Sequence, residues 1–220
     1  MELKGVSKSM GGKAVLTKLN AAIPKNRIIG LVSDNGRGKS TLLRLMAGIW
    51  QPDDGEVLRY TDSISYLIPR DAYYDWMRVR DAVQFYCVHY LAFDNEKARA
   101  LIREAGFDGK TLLRRLSDGQ RERLSLILAV CTRAELYLMD EPLSGMDAAF
   151  KKEVRRFLVE HLPEGATIVL ATHLLKDLEQ LFDQVIFLSD GGSVQKDTEE
   201  LREEYGMSVE EYYLEVIRHI

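Results

Sequence analysis

Along the chain, short uninterrupted apolar runs alternate with longer stretches in which apolar positions recur every three or four residues. Ile28-Ile29-Gly30-Leu31-Val32, Leu136-Tyr137-Leu138-Met139, Thr167-Ile168-Val169-Leu170-Ala171 and Val185-Ile186-Phe187-Leu188 are aliphatic or β-branched almost throughout. Such runs predict strands covered on both faces. A sheet of that kind is mostly parallel, because the helices that connect parallel strands are what cover it. Helical spacing follows the first three runs, at Leu42-Leu43-Leu45-Met46 ahead of Gly48, at Val154-Phe157-Leu158 and at Leu174-Leu175-Leu178-Leu181. Between Asp71 and Thr132 the apolar runs stop, and amphipathic patterns at Arg80–Tyr90 and Glu96–Ala105 predict a helical insertion into an α/β core. Charged Glu199–Glu204 reads as a solvated helix face.

A chain of 220 residues has room for one well-buried core with an inserted subdomain. Hydrophobic content of 46% and charged content of 29% exclude disordered, collagen-like and coiled-coil classes. Lys+Arg 30 against Asp+Glu 34 leaves a net charge of -4, so no positive field draws the chain to nucleic acid, and no nucleic-acid partner is expected. Cys87 and Cys131 sit in apolar stretches, as free thiols of a reducing compartment do. Met1–Lys4 leads into no apolar segment, and no uncharged stretch reaches the roughly 18 residues of a membrane helix. The expectation is a cytoplasmic protein whose membrane role, if any, runs through a partner.

The chemistry begins after the first apolar run, at Ser33-Asp34-Asn35-Gly36-Arg37-Gly38-Lys39-Ser40-Thr41. A glycine-rich loop between a strand and a helix wraps nucleotide phosphates in backbone N–H groups, sets them at a helix N-terminus, and supplies a lysine and a Mg²⁺-binding hydroxyl. Asn35, Gly36, Arg37, Gly38, Lys39, Ser40 and Thr41 are the candidate nucleotide-binding residues. The strict motif has glycine where Ser33 stands, which predicts weaker phosphate binding. Arg37 either adds charge-assisted contacts to a triphosphate or reaches a partner.

The second apolar run ends on Asp140-Glu141. Asp140 can hold Mg²⁺ together with Ser40, while Glu141, facing the other way by strand alternation, can polarise a water for attack on a γ-phosphate. Leu116-Ser117-Asp118-Gly119-Gln120 reads as a capping box, with Ser117 as N-cap and Gln120 at the third helical position. It could be no more than a capped helix, or an anion site.

Taken in order, the phosphate loop, Leu116–Gln120, Asp140-Glu141, Ser144-Gly145-Met146-Asp147 and Thr172-His173 resemble the ATP-binding cassette of ABC transporters, most of all short bacterial exporter cassettes. The resemblance covers almost the whole chain. It implies a P-loop NTPase core with a mostly parallel sheet and a small antiparallel β subdomain, at 1–70 and 133–220, and an inserted helical subdomain at 71–132. It implies ATP and Mg²⁺ held between two cassettes, as a homodimer or heterodimer. Glu141 would then be the general base and His173 a γ-phosphate contact. Ser117, Asp118, Gly119 and Gln120 would meet the partner's ATP, and Asp147 would couple the two sites. Met10 stands where the family stacks an aromatic residue on adenine. Tyr66-Leu67-Ile68-Pro69-Arg70 offers none of the family's loop glutamine. Asp118 replaces a frequent glycine, and Arg37 of the other cassette is its expected partner.

Tyr73, Tyr74, Trp76 and Met77 form an aromatic and methionine cluster in the region where the family receives its membrane subunit, so a permease is expected to dock there. The function implied is that of an ATPase peripheral to the inner face of the membrane, driving a permease for export. The alternative is a degenerate nucleotide-binding module paired with a more active cassette. A soluble ABC-type ATPase of DNA repair or translation needs long coiled coils or tandem cassettes, for which this chain is too short and too acidic.

Overall fold

Each of the four apolar runs forms a strand of one sheet in the computed structural model, which describes residues 1–67, 73–143, 145, 148–173, 175–189 and 192–217, with the backbone alone at 148–149, 151–152 and 176–177. In chain order the strands are β1 (Glu2–Met10), β2 (Lys13–Ala22), β3 (Ile28–Val32), β4 (Asp54–Leu58), β5 (Ile64–Tyr66), β6 (Leu136–Asp140), β7 (Thr167–Ala171), β8 (Gln184–Ser189) and β9 (Gly192–Asp197). The main sheet runs β5-β6-β7-β3-β8-β9, parallel throughout except for the edge strand β9. A separate antiparallel sheet runs β2-β1-β4. Register shifts between Leu3 and Val6 and between Val6 and Lys8 break the period-two pattern of β1, so alternation is no guide to this sheet.

The helices are α1 (Lys39–Met46), α2 (Val79–His89), α3 (Asn95–Glu104), α4 (Asp118–Val130), α5 (Ala148–His161), α6 (Leu175–Leu178), α7 (Thr198–Glu204) and α8 (Val209–Glu215). α2, α3 and α4 fill the interval between β5 and β6 from which strands were missing in the sequence. Asp94 starts α3 by accepting the Lys97 N–H at 3.0 Å, and Lys97 Nζ donates to the His161 carbonyl at 2.6 Å, which ties α3 to the end of α5. Of the predicted Leu174–Leu181 helix, Leu174 lies outside the described residues, and α6 gives way after Leu178 to a single 3-10 turn, Glu179–Leu181, with Leu178, Leu181 and Phe182 buried in the core.

Successive residues of a strand face opposite ways, and this sorts the core into two layers. Leu136 and Leu138 of β6 join Leu42, Leu43, Leu45 and Met46 of α1 and the antiparallel sheet. Tyr137 and Met139 join the layer built by α2 to α5 and α8. The four apolar side chains of α1 are buried, each worth about 1.5–3 kcal/mol, and they anchor the helix that carries the phosphate loop. Cys131 is buried and desolvation pushes its thiol up to about 12, whereas Cys87 is half-exposed rather than buried. Among the described residues no helix is long and apolar enough to cross a membrane.

Candidate active site

β3 ends at Val32, and the chain must turn into α1 within a few residues. Gly38 makes that turn at φ 91°, and a Cβ there would lie 2.8 Å from Leu16 Cδ2 and 3.0 Å from Val15 Cγ1, so glycine is required twice over. No side chain caps α1, which leaves the N–H groups of its first turn to an outside acceptor. Ser33 keeps a negative φ, so a side chain at the first bend brings no left-handed strain, and its carbonyl accepts Lys39 Nζ at 2.9 Å. Lys39 is 6% exposed.

Asp140 closes β6 opposite Ala171 of β7, and its Oδ1 is buried with no hydrogen-bond partner. Glu141 leaves the strand at φ 46°, donating its N–H to the Ala171 carbonyl at 2.8 Å. That left-handed turn, costing on the order of 1–3 kcal/mol, aims its carboxylate. The expected strand alternation does not, because the strand has already ended. Glu141 Oε2 lies 2.7 Å from His173 Nδ1, and Glu141 Oε1 lies 3.7 Å from Lys39 Nζ. Thr172 N–H reaches the Leu31 carbonyl at 3.3 Å, which keeps the segment bearing His173 beside β3. A cavity of about 290 Å³ collects Asn35, Gly36, Gly38, Lys39, Ser40 and Thr41 against Asp140 and Glu141, with Val15 of β2 as its side wall. A buried carboxylate oxygen without a donor, next to a hydroxyl and a helix N-terminus, is a donor set that suits a hard divalent cation and phosphate. Tyr66 points its buried phenol at the same end of β6, where burial first and the Asp140 charge second push it up.

Other predicted residues lie elsewhere. Met10 is 43% exposed at the β1–β2 turn and does not line the cavity, where Val15 stands instead. Nothing in Ala14-Val15-Leu16 signals chemistry in the sequence, since only the packing against Gly38 gives Val15 its place. Arg37 Nε stands 3.9 Å from Asp34 Oδ2 of its own loop. Ser117, Asp118 and Gln120 are exposed at the start of α4, and the predicted capping box is formed: Gln120 N–H reaches Ser117 Oγ at 3.2 Å and Ser117 N–H reaches Gln120 Oε1 at 2.9 Å. Half-buried Gly119 lies beside them, and none of the four lines the cavity. Asp147, Ser144, Met146 and Ile68-Pro69-Arg70 lie outside the described residues.

The aromatic cluster divides. Tyr74 and Trp76 stack at 5.9 Å and are 68% and 66% exposed. Met77 is 7% exposed in the core, held there by the Leu113 N–H donating to its carbonyl, and the Tyr73 hydroxyl is sealed by burial that pushes it up. The expected docking cluster therefore keeps Tyr74 and Trp76 at the surface and loses Met77 and the Tyr73 hydroxyl to packing.

The sequence matches the family described as ABC transporter over residues 16–144. It is 32% identical to the ABC transporter ATP-binding protein YtrB of Bacillus subtilis over 93% of this chain and 74% of that one. It is also 32% identical to the aliphatic sulfonates import ATP-binding protein SsuB 2 of Pseudomonas aeruginosa, over 87% of this chain and 72% of that one. The fold superposes on an ATP-binding subunit of an ABC transporter with TM-score 0.84 at 21% identity, covering 97% and 98% of the two chains. It superposes on the dimeric bacterial ABC transporter cassette MJ0796 with TM-score 0.76 at 20% identity, covering 89% and 97%.

Proposed function

The chain belongs to the ABC transporter family as an ATP-binding, ATP-hydrolysing member, and from that premise we propose that it pairs with a second cassette around two ATP molecules and drives a separate membrane permease. The observation that carries this reading is that Lys39 and Glu141 line one cavity beside the unpartnered Asp140 oxygen, with His173 Nδ1 2.7 Å from the Glu141 carboxylate. The Lys39 ammonium and the N–H groups of α1 bind the phosphates, and Val15 packs on the nucleoside side of the loop. Ser40 and Asp140 would hold Mg²⁺, which would supply positive charge beside the phosphates. Glu141 accepts the proton of the attacking water as the new P–O bond forms and ADP leaves with the electrons of the broken one. His173 keeps the Glu141 carboxylate oriented through the 2.7 Å contact and faces the γ-phosphate.

Ser117, Asp118, Gly119 and Gln120 present the start of α4 to the partner's ATP, and Asp147 links the two sites. In this reading 1–70 and 133–220 form the nucleotide-binding core, and 71–132 form the helical subdomain that offers Tyr74 and Trp76 to the permease at the inner face of the membrane. The direction of transport belongs to the permease: the likeness to short exporter cassettes supports export, and a relative named for import supports the opposite. The second reading, a nucleotide-binding module that leans on a more active cassette, is supported by Met10 standing away from the cavity. Steady-state phosphate release with Mg-ATP decides between them. Turnover by the protein alone, lost in Glu141→Gln, supports the first reading, and nucleotide binding without turnover supports the second.

A further inference from the structure

α4 connects two places that the proposed function makes interdependent. Its N-terminus carries Ser117–Gln120, and within its first turns stands Glu122, 8% exposed. A carboxylate so deeply buried is costly unless its oxygens find donors. Glu122 Oε2 accepts the Gly145 N–H at 2.5 Å. A Cβ at Gly145 would meet both carboxylate oxygens, at 3.0 and 3.1 Å, so glycine is what lets the backbone come this close. Gly145 follows Glu141 by four residues, and the intervening Pro142 and Leu143 are buried. Proline fixes one backbone torsion and Leu143 is anchored in the core, so the two residues that follow Glu141 are held in place. The neighbouring Arg123 lays its guanidinium over the Phe150 ring at 4.7 Å, binding the same turn of α4 to the start of α5.

Resting on the proposed function, we propose that Glu122 is a positioning residue: by gripping the Gly145 amide it fixes the turn that carries Glu141 to the helix that carries the signature, so that seating the signature on a partner's nucleotide sets the base. Glu122 touches no nucleotide. Its action passes through backbone.

Steady-state ATP hydrolysis is measured for the unsubstituted chain and for Glu122→Ala, Glu122→Gln and Gly145→Ala, with equilibrium binding of a fluorescent ATP analogue and a thermal melt for each. Glu122→Ala lowers kcat on the order of 10- to 100-fold, the scale of an ångström of misplacement. KM and analogue affinity stay within about twofold, because ground-state binding is untouched. Glu122→Gln keeps an acceptor oxygen and recovers most of kcat, and Gly145→Ala loses it from the other side of the contact. Unchanged kcat in both alanine variants overturns the proposal. So does an equal loss in Glu122→Gln and Glu122→Ala, and so does a loss seen only as raised KM. If Glu122→Ala fails to fold, Gly145→Ala and Glu122→Gln decide the matter in the same way. An unsubstituted chain that binds the analogue and hydrolyses nothing counts against the proposed function itself, and this inference falls with it.

Discussion

At the phosphate loop Glu141 gathers Lys39 at 3.7 Å and His173 at 2.7 Å within a single chain and keeps a buried Oε1 without a hydrogen bond, whereas at the start of α4 Ser117 and Gln120 satisfy each other and otherwise face solvent. The first region is set into the core: α1 is anchored on one layer, Asp140 ends a buried strand, and Glu141 keeps a left-handed backbone that the surrounding hydrogen bonds enforce. Strain of that sort survives where the fold over-determines it, at places that do chemistry. The second region, Ser117, Asp118 and Gln120, carries no such left-handed backbone. A helix start whose side chains do little beyond capping is complete as structure and, in the proposed function, half complete as a site.

The largest expected effects fall on the first region. Glu141→Gln lowers kcat by about 10²–10⁴-fold, the usual contribution of a general base, while nucleotide affinity is kept. Lys39→Ala is expected to lose nucleotide affinity as well, because in the proposed function this buried cation binds the phosphates; both are read in phosphate-release and fluorescent-nucleotide assays. Ser117→Ala separates the regions: it costs about 1 kcal/mol of stability through the lost cap and leaves the affinity of the isolated chain for nucleotide unchanged. A loss of affinity as large as that of Lys39→Ala would break the comparison, since it would mean one region serves both roles.

Smaller effects test the frame that holds the two regions apart. Asp94 caps α3, and the Lys97 N–H first, with Arg133 after it, holds its carboxyl below the usual range. A lowered carboxyl stabilises the fold above its unfolded value and loses that contribution as the pH falls through its folded value. Asp94→Ala is therefore expected to cost about 1 kcal/mol in urea titrations at neutral pH, with the difference fading below about pH 4. Smallest of all, Cys131 resists alkylation at pH 8 in the native chain and reacts once the chain is unfolded, because burial holds its thiol up to about 12. Rapid native labelling at Cys131, read by mass spectrometry, would mean that the end of α4 opens readily.

Much of the first region was legible in the sequence. Continuous apolar runs name the buried strands, and the loop between Ser33 and Thr41 supplies most of the residues that line the cavity. The capping box at Ser117 and Gln120 was equally plain, since a cap is a local contact over three residues. Contacts that the fold alone creates were not legible. Val15 earns its role by lying over Gly38, Glu122 by meeting an amide 23 residues away, and Met77 by turning inward where its neighbours Tyr74 and Trp76 turn out. The bulged β1 hides its own alternation, and Glu141 takes its direction from a left-handed turn that no pattern announces.

The central claim is that the start of α4 completes the nucleotide site of a second chain. Sedimentation velocity of Glu141→Gln with and without Mg-ATP tests it most directly, because a blocked base retains the nucleotide that would join the two chains. The account predicts a shift from monomer to dimer with Mg-ATP, abolished by Ser117→Arg at an otherwise exposed position. A chain that binds Mg-ATP and sediments as a monomer at every protein concentration, or a dimer indifferent to Ser117→Arg, would contradict it.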